Sequence, residues 1–341
     1  PMALGYSTIV RENPDKPGEI IGDLAERWTV TGAGTVYTFA MRKGVKWHDG
    51  TPFTAKDAAF GVQILRDKSP SVSTLFQRAI KSIEAPDDST MVITLKQVDP
   101  TVLAAFAGGR AFITPRHLVE AGKDLRTNVV GTGPFKFKSY RTDVSMEWVR
   151  NPDYYIPDRP YLDGVTYFII PDRASGKAAL KTGQAHVAAP VYLPVGWYDE
   201  MRQAPRVRMI QHLNENYEFL SLNAEVAPFN NANVRKALYM AMDRNAFNGL
   251  VLAGTGQVVG AVPPDLGGYS AEEISRFPGF RKDKAQDIEE AKKLLAQEKM
   301  TALSFNVIFR PGAGYRDTAV FVQDQMSKIG VKVELKTMDD A

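Results

Sequence analysis

Residues 216–245, NYEFLSLNAEVAPFNNANVRKALYMAMDRN, pass from an aromatic and aliphatic run through a polar turn into an amphipathic segment. Tyr217, Phe219 and Leu222 have the composition of a buried strand. Pro228, Asn230 and Asn231 break that run with turn chemistry. Asn231 or Asn233 can then cap a helix whose Val234, Leu238, Ala241 and Met242 share one apolar face. A strand that leaves one sheet and delivers the chain into a new helical layer is how a polypeptide crosses between domains. The same residues fit an ordinary strand–loop–helix inside one domain equally well, so other stretches have to decide.

Length bounds the number of domains. A chain of 341 residues exceeds one ordinary core, and roughly two or three domains are expected. With 44% hydrophobic and 24% charged residues it has the balance of a globular protein. Lys and Arg number 42 against 39 for Asp and Glu, a formal charge of +3 with no basic tract. That is too slight an excess to argue for nucleic acid. The sequence contains no cysteine, which excludes disulfides, thiolate nucleophiles and Cys-ligated zinc. No stretch approaches the roughly 20 apolar residues needed to span a bilayer. The opening residues PMALGYSTIV show no basic n-region or cleavage pattern, so no signal peptide is expected within the sequence.

The pattern alternates strands with helices. Residues 28–41 read as a hairpin turning at Gly32 and Gly34. Thr54 with Asp57 resembles a capping box before a helix that buries Ala58, Val62 and Leu65. Residues 80–95 form a second hairpin, with Met91, Ile93 and Leu95 alternating inward. Helical pieces start at Pro100 and Pro115. Gly131-Thr132-Gly133-Pro134 reads as a backbone corner in which glycine supplies positive φ. A meander over 135–140, 145–150 and 165–171 follows. Helix 173–181, a short strand at 186–188, helix 195–203 and strand 207–211 return the chain to the opening stretch. Beyond it lie helix 287–297 and a closing β-α-β unit with strands 303–309 and 331–335 around helix 319–329.

Catalytic signals are absent. His48, His117, His186 and His212 lack ligand spacing, and His48, beside Asp49, reads as a surface or turn residue. Neither Gly254-Thr255-Gly256 nor Gly131-Thr132-Gly133 matches a nucleotide loop, and no nucleophile elbow is present. The acidic pairs Asp87-Asp88, Glu289-Glu290 and Asp339-Asp340 read as turn, solvated helix face and chain end. What remains is aromatic and amide material in loops, including Tyr154, Tyr155, Tyr161, Tyr192, Trp197, Tyr198, Asn214, Asn216 and Tyr217. Such residues suit a cleft that stacks on a small molecule, or simply pack locally.

These stretches together resemble the extracytoplasmic solute-binding proteins of the peptide and nickel type, family 5 of the receptors for bacterial ABC transporters. The resemblance is carried by Asp23-Leu24-Ala25-Glu26-Arg27-Trp28 and by YTFAMRKGVKWHDGTPFTAKD at 37–57. It continues through VGTGPF at 130–135, RNPDYY at 150–155, PYLDG at 160–164 and ALKTGQ at 179–184. Leu222-Asn223, Ala227-Pro228-Phe229, Val234-Arg235-Lys236-Ala237-Leu238 and Met242-Asp243-Arg244 complete it in order.

The resemblance implies a mixed α/β fold like the periplasmic binding proteins (type II, cluster C) with an extra inserted domain. Residues 1–11 and 130–225 would form a discontinuous domain, 12–129 the inserted one and 226–341 the first part of a third. Members usually start further upstream and run past Ala341. The chain is therefore expected to be a fragment with an incomplete C-terminal lobe, prone to aggregate or to bind solute poorly. The implied function is a non-catalytic, periplasmic or lipid-anchored receptor that closes on a peptide or similar polar solute. It would pass that solute to ABC permease subunits, as a monomer without cofactor, metal or nucleic acid. Receptors for a nickel chelate, oligosaccharide, opine or haem, a cleft-based hydrolase and a holdase-like chaperone are the alternatives. Candidate ligand-binding residues are Tyr217 and Asn223 at the crossing, Tyr192 and Trp197 after the strand at 186–188, and Arg110 in a loop.

Overall fold

The computed structural model describes residues 2–16, 18–188, 195–210, 217–262, 264 and 267–338. The chain divides into two compact units, Pro1–Pro171 and Asp172–Ala341, each mixing helices with strands. In the first unit, α1 (Met2–Gly5) precedes the antiparallel pair β1 (Val10–Glu12) and β2 (Ile20–Gly22). The hairpin expected at 28–41 is β3 (Ala25–Thr31) and β4 (Val36–Met41). After α2 (Ala55–Lys68) and α3 (Ser73–Ala79) comes the second hairpin, β5 (Ile80–Glu84) and β6 (Thr90–Leu95). The four strands join in one antiparallel sheet, ordered β3-β4-β6-β5.

The period of two explains why this sheet has one wet and one dry face. Tyr37, Phe39 and Met41 on β4 and Met91, Ile93 and Leu95 on β6 are all buried. α2 lays Ala58, Val62 and Leu65 into the same core, and α4 (Thr101–Ala107) adds Val102 and Phe106. Phe106 meets Phe76 at 4.7 Å between ring centroids and Phe39 edge-on at 6.1 Å, offset geometries that aromatic quadrupoles favour. The start of α2 is fixed by Asp57, whose carboxylate accepts from both the Thr54 amide and the Thr54 hydroxyl at 2.8 Å.

α4 and α5 (Arg116–Glu120) begin directly after Pro100 and Pro115, as expected. The meander then forms as β7 (Phe135–Arg141), β8 (Ser145–Arg150) and β9 (Gly164–Phe168). The corner before it is real, but its glycines act differently from the expectation. Neither Gly131 nor Gly133 has positive φ. A Cβ at Gly131 would lie 1.9 Å from the Gly5 carbonyl oxygen, and one at Gly133 2.5 Å from the Gly5 carbonyl carbon. Both are glycine because two backbones touch there, with Gly133 N–H donating to Gly5 O at 3.0 Å.

The second unit opens with α6 (Arg173–Thr182), capped by Asp172 and ended by Gly183 at φ 81, and α7 (Val195–Gln203). Its core gathers α8 (Ala232–Ala241) and α11 (Lys284–Gln297) with a closing β-α-β unit, while α9 (Arg244–Leu250) and α10 (Ala271–Ile274) lie between them in the sequence. That unit is β10 (Ser304–Phe309), α12 (Ala313–Ser327) and β11 (Lys332–Thr337), with the strands parallel and in register from Ser304↔Lys332 to Phe309↔Thr337. Two expected strands do not form: 186–188 and the described part of 207–211 pair with no described strand. Val187 is 84% exposed, so β-favouring composition there meets no apolar face to cover.

Buried charge ties α11 to the rest of this core. Asp287 is fully buried and receives Arg281 at 3.0 Å, Lys284 at 2.9 Å and the Gly279 amide at 3.0 Å. Lys284 also donates to Met240 O at 2.8 Å, and burial pushes its ammonium below the usual lysine range against the pull of Asp287. Arg244 stacks on Tyr239 and Phe280, at 4.1 and 4.4 Å, and donates to Gly279 O at 2.6 Å.

Candidate functional site

Residues 217–223 correct the first expectation. No strand ladder involves them among the described residues, and Tyr217 and Phe219 are 44% and 78% exposed. Leu220 and Leu222 instead pack on the core of the second unit. The reason is parity. In an extended chain, successive side chains point to opposite faces, so 217 and 219 cannot share a buried face with 222. Leu220 and Leu222 take the core, leaving the rings of Tyr217 and Phe219 exposed.

The turn that follows is built from amides. The Asn223 side-chain oxygen accepts the Glu225 amide at 3.1 Å, and its carbonyl accepts Val226 N–H at 3.3 Å. Asn231, rather than Asn233, caps α8 by accepting from Asn233 N–H at 2.8 Å and Val234 N–H at 3.4 Å. Both Asn side chains then donate to Glu298, each at 2.6 Å, and hold its carboxyl below the usual range. Arg235 reaches back to Phe229 O at 2.7 Å. Beside this turn is a shallow depression of about 400 Å³ lined by Ala227, Pro228, Lys299, Met300, Ala302, Leu303 and Ser304. Phe219 and this depression had no separate sequence signal; the alternation of 217–222 could have exposed the ring.

The other candidates are scattered. Trp197, on α7, is covered by Lys177 Nζ at 4.3 Å from its ring. Lys177 and Lys181 on α6 both pair with Glu200, the latter at 3.0 Å, which locks the two helices together. One face of the Trp197 ring is thus occupied by a local cation. Tyr192 lies outside the described residues. Arg110 is exposed in the turn after α4, with its amide on Gly108 O at 2.7 Å and no side-chain partner among the described residues. Tyr217, Asn223 and Trp197 belong to the second unit, where no hydrogen bond or ring contact among the described residues joins them, and Arg110 belongs to the first.

The polar residues of the sequence motifs are used for architecture. Asp23 is buried and accepts from Thr8 N–H at 2.9 Å and from the Tyr155 hydroxyl at 2.5 Å, while Tyr155 also meets Ser7 at 3.0 Å. Burial, then the Asp23 charge, pushes the Tyr155 phenol well above its ordinary range, so it stays a donor. His48 does lie in its turn, but the ring faces inward onto the glycine corner. Among the described residues no three His, Asp or Glu side chains are placed to hold a metal ion. No helix among them is long and apolar enough to cross a membrane. The exposed aromatics and amides can stack and hydrogen-bond.

Comparison with known proteins gives these features a setting. Residues 19–341 match the family model described as bacterial extracellular solute-binding proteins, family 5 Middle. Heme-binding protein A of Haemophilus influenzae is 32% identical over 301 residues, covering 80% of this chain and 53% of the relative. The probable D,D-dipeptide-binding periplasmic protein DdpA of Escherichia coli is 28% identical over 330 residues, covering 95% of this chain and 62% of the relative. Among solved structures, the ABC transporter-associated periplasmic binding protein DppA from Helicobacter pylori, in complex with peptide STSA, matches with a TM-score of 0.82. That match has 28% identity and covers 98% of this chain and 68% of that one. The chain therefore spans between about half and two thirds of the length of these curated relatives.

Proposed function

From a chain that belongs to family 5 of the bacterial extracellular solute-binding proteins, we propose a receptor that binds a peptide or similar small polar organic solute outside the cytoplasm. It delivers that solute unchanged to the permease of an ABC importer. The observation that carries this reading is the family match over 19–341 joined to the fold shared with a peptide-bound relative. The division into residues 1–11 with 130–225, 12–129 and 226–341 belongs to the same proposal, as do the solute contacts. Tyr217 and Phe219 offer faces for stacking, Asn223 an amide donor, and Arg110 an exposed guanidinium for a carboxylate. Trp197 and Tyr192 would border the site. Closure around solute is favoured only by the difference in affinity between closed and open states. A micromolar solute supplies about 8 kcal/mol, part of which offsets ordering.

A second reading, a haem receptor, is supported by the relative at 32% identity whose name states haem binding. Equilibrium titration of the protein with di- to tetrapeptides and, separately, with hemin tests both. Saturable peptide binding without a hemin Soret shift is expected. Saturable hemin binding alone moves the assignment to the second reading, and binding of neither class contradicts the proposal.

A further inference from the structure

His48 uses both ring nitrogens on one backbone corner. Nδ1 accepts the Gly131 amide at 3.3 Å, while Nε2 lies 3.0 Å from the Gly133 carbonyl and must donate to it. The two backbones are joined as well, His48 N–H to Gly131 O at 2.8 Å. This pairing is satisfied by one species, the neutral ring with its proton on Nε2. Gly131 and Gly133 already touch the Gly5 backbone, so a mismatch is relieved by displacement of the 47–50 turn rather than of the corner.

We propose that this contact is a proton-sensitive clasp between the 47–50 turn and the corner leading into β7. It is neutral and closed near pH 7, and it opens when His48 takes a proton on Nδ1. A protonated Nδ1 would face the Gly131 N–H donor to donor. The clasp does not depend on which solute binds.

The charged groups around the ring set its balance. On its own turn, Asp49 favours the imidazolium, but that carboxylate is engaged by the Thr51 amide at 3.0 Å and by His117 Nε2, from α5, at 2.7 Å. From β7, Lys136 donates to His48 O at 3.0 Å and opposes a second positive charge. The Lys46–Asp153 pair, 3.5 Å apart, spans the same seam and is nearly neutral as a unit. Burial, first, and Lys136 push the His48 ring below the usual histidine range, against Gly133 and Asp49. With the folded value depressed, the clasp's contribution is complete above the ordinary value, about 6.5, and is lost as pH falls through the folded value.

Hydrogen exchange by NMR, corrected for intrinsic rates, tests this at pH 7.5 and 4.5, with the Ile93 amide in the four-stranded sheet as reference. Gly131 protection relative to Ile93 is expected to fall by about tenfold or more in the wild type. It should stay level in His48→Gln, whose side chain does not titrate. Equal relative protection at both pH values in the wild type, or the same fall in the variant, overturns the proposal. If the variant does not fold, the wild-type imidazole nitrogen shifts decide. An Nε2–H ring whose titration coincides with loss of Gly131 protection supports the clasp, and an Nδ1–H ring, or titration that leaves Gly131 protected, refutes it.

Discussion

Single residues in this chain carry consequences out of proportion to their size. Gly133→Ala would place a methyl group 2.5 Å from the Gly5 carbonyl carbon. Overpacking against backbone that cannot yield costs roughly 1–3 kcal/mol or more, so urea unfolding should show at least that loss, whereas Gly109→Ala, which meets nothing within 4 Å, should not. Tyr155→Phe removes the donor to Asp23 and leaves a buried carboxylate short of a partner. A loss of about 1–3 kcal/mol is expected by the same measurement. The corner glycines were legible in the sequence as a corner. Their reason was not, because close approach to Gly5 is a contact made across more than a hundred residues of chain.

Elements were legible where a local rule decided them. The alternation of Met91, Ile93 and Leu95, the capping pair Thr54 and Asp57 and the prolines before α4 and α5 each acted within a few residues. Residues 186–188 misled because β propensity needs a partner and a face to cover, and among the described residues Val187 pairs with no strand and is largely exposed. The same holds for 217–223, where the aromatic composition was read without its parity. Two substitutions test how helices are held in the second unit. Asn231→Ala removes the α8 cap and one donor to Glu298, with an expected cost of about 1 kcal/mol. Asp287→Ala strands Arg281 and Lys284 beside a buried gap, and a loss of about 3–5 kcal/mol is expected. Thermal or denaturant unfolding that left Asp287→Ala as stable as wild type would show that the buried charge network does not hold α11.

At the scale of the whole molecule, the motifs identified the family while locating little of the site. Asp23, His48, Tyr155 and Arg244 are spent on internal hydrogen bonds and stacking. They record the scaffold, and a scaffold shared by receptors of different solutes cannot name one. In the proposed receptor, the solvent-facing rings of Tyr217 and Phe219 are available to stack on solute. Replacing both by Ala should weaken solute binding by about tenfold or more, since a stacked aromatic contributes about 1–3 kcal/mol. The melting temperature without solute should change little, because neither ring is in the core.

The receptor assignment is tested most directly by mass spectrometry of the protein under native conditions after incubation with peptides, followed by denaturation and analysis of what is released. A bound peptide recovered with its mass unchanged, lost or weakened in the Tyr217 and Phe219 double variant, is the predicted result. Release of cleaved or modified products, or no bound peptide at any concentration, would contradict it.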